Sequence, residues 1–105
     1  MKICIDELKK LCSDDKIKWT LHALKRLRER KIPVHAAVEA ILCGEAINQY
    51  HDDKPFPSYL IFNGNDNEPL HVVVSTDGDA VYIITAYVPD LDEWEADYKT
   101  RKGRK

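Results

Sequence analysis

His22, Arg26 and Arg30 stand four residues apart in Trp19-Thr20-Leu21-His22-Ala23-Leu24-Lys25-Arg26-Leu27-Arg28-Glu29-Arg30. At spacing i, i+4, i+8 they line one side of a helix. An imidazole exchanges protons near neutral pH, and a guanidinium grips a phosphate through paired N–H bonds. Each side chain also has a plainer alternative. His22 can be exposed or lie against a sheet edge, and Arg26 and Arg30 can be a solvated face, paired with Glu29 to little effect. The grouping favours chemistry, because Leu21, Leu24 and Leu27, with Ala23, recur on another face expected to meet a core.

A second histidine, His71, lies in Leu70-His71-Val72-Val73-Val74, an apolar run with strand character. Alternation puts Leu70, Val72 and Val74 on one face, and His71, Val73 and Ser75 on the other. Which face the helices cover is not set by alternation. If His71 lies on a concave face opposite His22, Tyr59, Tyr82 or Tyr87 can stand nearby. If not, it is a histidine hydrogen-bonded within the structure.

Other chemistries find less support. His22, His35, His51 and His71 include no pair with zinc-motif spacing, and neither H-E-x-x-H nor C-x-x-C occurs. Asp77 and Asp79 flank a hairpin glycine and read as turn residues. Cys4 and Cys12 fall at apolar helical positions, and Cys43 ends a helix, where the dipole raises a thiol pKa. No glycine-rich phosphate loop is present, so no cofactor and no metal are expected.

The elements that must position these groups come in two blocks. Residues 3–12 predict an amphipathic helix. Thr20 is the expected N-cap of a second helix ending near Lys31. Pro33 opens a third in the first-turn position, with Val34, Val38, Ile41 and Leu42 as its apolar stripe and Gly44 as its stop. From Glu45 the period changes to two. Strands are expected at 46–50, 59–63, 70–75 and 80–88, with Asp77-Gly78 as a hairpin turn. Residues 90–98 predict a short helical turn carrying Trp94. The expected fold is α+β, with N-terminal helices packed on a four-stranded antiparallel meander sheet.

The 105 residues are expected to form one α+β domain over 1–98 and a basic, mobile tail over 99–105. The net charge of −2 hides a partition: residues 1–31 carry +5, residues 32–98 carry −12 and residues 99–105 carry +5. A basic surface suits nucleic acid or an acidic partner, and it also suits basic ends packed over the acidic middle. No apolar run approaches the ~20 residues of a membrane span. The N-terminal residues do not form a secretory signal, and three cysteines fit a reduced, cytoplasmic protein.

The pattern Trp19-Thr20-x-His22-Ala23-x-x-Arg26-x-x-x-Arg30-x-Ile32, then Tyr50, Pro57-Ser58-Tyr59-Leu60, Leu70-His71-Val72-Val73 and Ile84-Thr85-Ala86-Tyr87-x-Pro89, resembles the bacterial family catalogued as domain of unknown function 4258. The likeness covers residues 19–94. That family is distantly similar to the RelE and BrnT toxins of toxin–antitoxin pairs. The resemblance implies a RelE-like, microbial ribonuclease-like fold, RNA cleavage, and an antitoxin partner of the MqsA/YgiT zinc-ribbon, helix-turn-helix type. These are analogies at fold level.

The expected function is therefore a toxin acting as a metal-independent endoribonuclease on free or ribosome-bound RNA. His22 and His71 would be base and acid, Arg26 and Arg30 would clamp the phosphate, and Tyr87 would hydrogen-bond it. Lys25, Tyr59 and Arg101 would bind RNA, by charge or stacking. The alternatives are a non-catalytic module docking an acidic partner through the His22, Arg26 and Arg30 face, and a metal-dependent hydrolase.

Overall fold

In the computed structural model, which describes residues 5–50, 56–64 and 69–100, the chain runs α1 (Ile5–Ser13), β1 (Ile17–Trp19), α2 (Leu21–Glu29), α3 (Val34–Cys43), β2 (Glu45–Tyr50), β3 (Ser58–Asn63), β4 (Leu70–Thr76) and β5 (Val81–Tyr87). Local chemistry sets the helix ends. Thr20 caps α2, its hydroxyl oxygen accepting from the Ala23 amide at 2.9 Å. Asp15 and Lys31 take left-handed backbone angles (φ 63° and 58°) just beyond α1 and α2. Each turn is closed by the next amide, Lys16 N–H to Leu11 O and Ile32 N–H to Leu27 O, both at 2.9 Å. The Lys9 ammonium of α1 donates to the Leu42 and Gly44 carbonyls at 2.8 and 2.7 Å, placing a cation at the negative end of α3.

Gly44 carries α3 directly into β2. A Cβ there would press on the carbonyl oxygens of Ala40 and Phe62 and lie 2.9 Å from Ile61 Cγ2. Backbone cannot step aside as a side-chain tip can. Gly44→Ala is therefore expected to lower stability by about 1–3 kcal/mol. Urea denaturation checks this, and an unchanged midpoint would contradict it.

The sheet order is β1-β5-β4-β3-β2. Strands β2 to β5 form the expected antiparallel meander, but β1 adds a fifth strand parallel to β5, with Ile17 opposite Val81 and Trp19 opposite Ile83. The sheet is thus five-stranded and mixed, correcting the four-stranded antiparallel expectation. Three residues are too few to show a period of two, so β1 has no pattern of its own. It forms because β5 offers an open edge, where Val81 N–H donates to Lys16 O at 2.8 Å.

One sheet face carries Tyr59, Ile61, Val72, Val74, Val81, Ile83 and Ala86 against Leu8, Cys12, Ala23, Leu27, Ala37, Ala40 and Ile41 of the helices. The α2 core stripe differs from the leucine pattern. Ala23 and Leu27 are buried, while Leu21 and Leu24 are 87 % and 40 % exposed. A small residue at position 23 allows close approach to β5, and Leu21 and Leu24 then fall on the outward side. In α3 likewise Ala37, Ala40 and Ile41 face inward, while Val34 and Leu42 are exposed. Among the described residues no helix is long and apolar enough to cross a membrane.

The Asp77-Gly78 turn joins β4 to β5, with Gly78 at φ 95°. Asp77 accepts from the Asp79 and Ala80 amides and, at 2.7 Å, from the Tyr82 hydroxyl. Hydrogen bonds from the Asp79 amide, then from Tyr82 and Ala80, hold its carboxyl below the ordinary range.

Candidate functional site

Register places Glu45, Phe62, His71 and Tyr87 in one row across β2, β3, β4 and β5. His71 alternates with the core residue Val72, so it points to the sheet face away from the helices. Residues 90–100 cross that row. The turn at Asp90, whose carbonyl accepts from the Trp94 amide at 3.0 Å, brings Trp94 onto the sheet. Its ring meets His71 edge-on at 4.5 Å between centroids, and Phe62 and Tyr87 flank the imidazole at 5.8 and 5.3 Å. Lys99 pairs with Glu45 at 2.6 Å and lies 5.8 Å from the Phe62 ring centroid. The Glu45 carboxylate raises the Lys99 pKa. One basic residue near the C-terminus thus packs on the acidic middle of the chain.

His71 is fully buried. Its Nε2 lies 2.7 Å from the Tyr98 carbonyl oxygen and its Nδ1 3.2 Å from the Tyr87 hydroxyl. A carbonyl has no proton to give, so Nε2 carries the proton and donates. In a neutral ring Nδ1 is then the acceptor, and the Tyr87 hydroxyl donates to it. A carbonyl, an imidazole and a phenol stand in line, with the buried imidazole between the half-buried Tyr98 and Tyr87.

Arg30 approaches from the other side of β5. Each four-residue step along a helix turns about 40°, so the His22, Arg26, Arg30 stripe winds around α2 and ends at its exposed C-cap, Arg30. His22 is exposed, Arg26 is half-buried and pairs with Glu29 at 3.0 Å, and Arg30 reaches the strand. Arg30 NH1 donates to Ala86 O at 2.8 Å and to Thr85 Oγ1 at 3.2 Å. Thr85 and Tyr87 stand two positions apart, about 6–7 Å along β5. Beside Arg30 a cleft of about 790 Å³ opens, with Lys31, His35, Leu70 and Val88 in its walls.

Of the residues singled out by sequence, the structure brings His71, Tyr87 and Arg30 to one end of β5. It does not bring His22 to His71: α2 packs in the helix layer, and His71 lies beneath Trp94 on the opposite sheet face. Lys25 is exposed on the outer side of α2. Tyr59 is 2 % exposed within the helix-covered core, which leaves it no face for stacking a base. Arg101 lies outside the described residues. Among the described residues no three His, Cys, Asp or Glu side chains gather around one point. Cys12 is buried, and that burial, with Asp15 opposing Lys9, pushes its thiol up to about 11. Cys43 is exposed.

Sequence reasoning passed over Thr85, Trp94 and Tyr98. Trp94 had a visible signal, a large apolar side chain among acids just after the last strand. Tyr98 acts through its backbone, which has no sequence signature.

Residues 19–88 match the model of the family described as domain of unknown function 4258 (DUF4258). No curated protein and no solved structure matches significantly. The matched region begins in β1 and ends just past β5, so it holds α2, His71 and Tyr87 but stops short of Trp94 and Tyr98. Covering well over half of the chain and the site's central strands, it shows that this protein belongs to the DUF4258 family.

Proposed function

We propose that the protein is a metal-independent endoribonuclease of the toxin type, acting through Tyr87, His71 and Arg30. The observation that carries this reading is the oriented line from the Tyr98 carbonyl through His71 to Tyr87, with the Arg30 guanidinium anchored on the preceding residues of the same strand, Thr85 and Ala86. Tyr87 takes the proton of an RNA 2′-hydroxyl as it passes its own to His71 Nδ1. The 2′-oxygen attacks the phosphorus, and the bond to the 5′-oxygen breaks. The proton returns through Tyr87 to the leaving oxygen, giving a 2′,3′-cyclic phosphate and a 5′-hydroxyl. Arg30 supports the charge that grows on the phosphate, through donors other than its strand-bound NH1. His22, Lys25 and Arg26 hold flanking phosphates without base preference. The cleft beside Arg30 suits an adjacent nucleoside.

The test is cleavage of RNA by purified protein, with and without ribosomes and with chelator present. Arg30→Ala is expected to cost about 10²-fold in rate. Wild-type protein that leaves RNA intact in both settings would end this reading.

One observation favours a second reading, a docking module. Leu21 and Leu24 are exposed on α2 beside Lys25 and Arg28, a combination that fits an acidic amphipathic segment such as an antitoxin of the MqsA/YgiT type could offer. Leu24→Glu would then abolish partner binding, and unchanged affinity in a titration would remove this face from consideration. An antitoxin bound there is compatible with the catalytic reading.

A further inference from the structure

We infer that residues 90–100, which lie beyond the family-matched region, form a working part of the site: the Tyr98 carbonyl is a positioning group that selects the tautomer of His71. The inference rests on the reading that Tyr87 moves protons, and it names the group that lets Tyr87 do so.

The turn that aims this carbonyl is held by its own bonds. Asp97 Oδ1 accepts from the Lys99 and Thr100 amides at 2.9 and 3.0 Å, and its Oδ2 accepts from the Thr100 hydroxyl at 3.0 Å. Tyr98 N–H donates to Glu95 O at 2.9 Å, and Glu95 N–H donates to Thr100 O at 2.8 Å. None of these bonds involves His71. The direction of the Tyr98 carbonyl is thus imposed on the imidazole rather than borrowed from it. Trp94 against the His71 ring and Lys99 on Glu45 fasten the turn to the sheet on either side.

Tyr98 has φ 59°, a left-handed conformation that residues other than glycine, asparagine and aspartate seldom adopt. A rare backbone state held by several hydrogen bonds is expected where a carbonyl must point in one direction. The chemical consequence is specific. Without that carbonyl, His71 is free to carry its proton on Nδ1 and donate to the Tyr87 oxygen. Tyr87 then has no base to receive its proton, although every catalytic side chain is still present.

The experiment separates backbone from side chain. Tyr98→Gly removes the phenol and keeps the left-handed conformation accessible. Tyr98→Pro removes the phenol and forbids that conformation. Tyr98→Val also disfavours it while keeping the amide that donates to Glu95. The readouts are the imidazole ¹⁵N shifts of His71 and the rate of RNA cleavage. Wild type and Tyr98→Gly are expected to share the Nε2–H tautomer. Tyr98→Pro and Tyr98→Val are expected to show a shift toward Nδ1–H and a loss of at least about tenfold in cleavage. An Nε2–H tautomer that persists in both of the latter overturns the inference. So does a rise in their cleavage, which would make the segment a cover that blocks the site. If the tautomers follow the expected pattern while no variant cleaves RNA, the positioning of His71 stands and the ribonuclease reading falls.

Discussion

Tyr87→Phe is expected to lower RNA cleavage by about two to four orders of magnitude, the span of a lost proton-transfer group. The ring keeps its place against His71, 5.3 Å between centroids, so packing is conserved. Only the hydroxyl that bonds Nδ1 is removed. The stability cost is that of one modest hydrogen bond, about 1 kcal/mol, and a cooperative urea transition near that of wild type is the control. Single-turnover cleavage of a short RNA gives the rate. A rate unchanged by this substitution would show that the phenol is not in the reaction path, whatever the fate of His71.

Trp94→Ala is expected to cost about 3–5 kcal/mol, the usual range for a buried tryptophan. Trp94 is 4 % exposed and lies over the row that holds Phe62, His71 and Tyr87. Its loss removes the lid from a sheet face that carries a buried imidazole, and water would then reach a ring that is now fully covered. Urea denaturation gives the first effect. Carbethoxylation of His71, mapped by mass spectrometry, gives the second. A loss under about 1 kcal/mol with His71 still protected would mean that other groups cover the face.

The helices, their caps and the four meander strands could be read from sequence because each has a period or a punctuating residue. Thr20 and the Asp77-Gly78 pair act through local chemistry and the structure uses both, while Gly44 stops α3 as expected but is needed as glycine because Phe62 and Ile61 of β3 also approach it closely. What escaped was decided by tertiary contact. The three residues of β1 form a strand only because β5 offers an edge. The choice of Ala23 and Leu27 over Leu21 and Leu24 depends on how closely α2 can approach that strand. Tyr59 could not be placed, since Ser58, Tyr59, Leu60 and Ile61 are all buried and alternation carries no information when both faces are covered. His71 stood out as a chemical group. Its burial depends on Trp94 and the Tyr98 carbonyl, which arrive from a segment with no strand pattern. Half of the candidate site was therefore visible as residue types, and the half that sets its geometry was backbone.

The parallel pairing of β1 with β5 has a consequence for when this protein can act. Ile17 must find Val81, and most of the chain lies between them. Such non-local pairings slow folding and come late. During synthesis the N-terminal helices emerge first, and α2 with its arginines is made long before the strand that anchors Arg30. A nascent chain held on a ribosome thus has its basic helix but neither Tyr87 nor the turn that orients His71. On the ribonuclease reading proposed above, the site can assemble only after residues 81–100 have emerged and β5 has met β1.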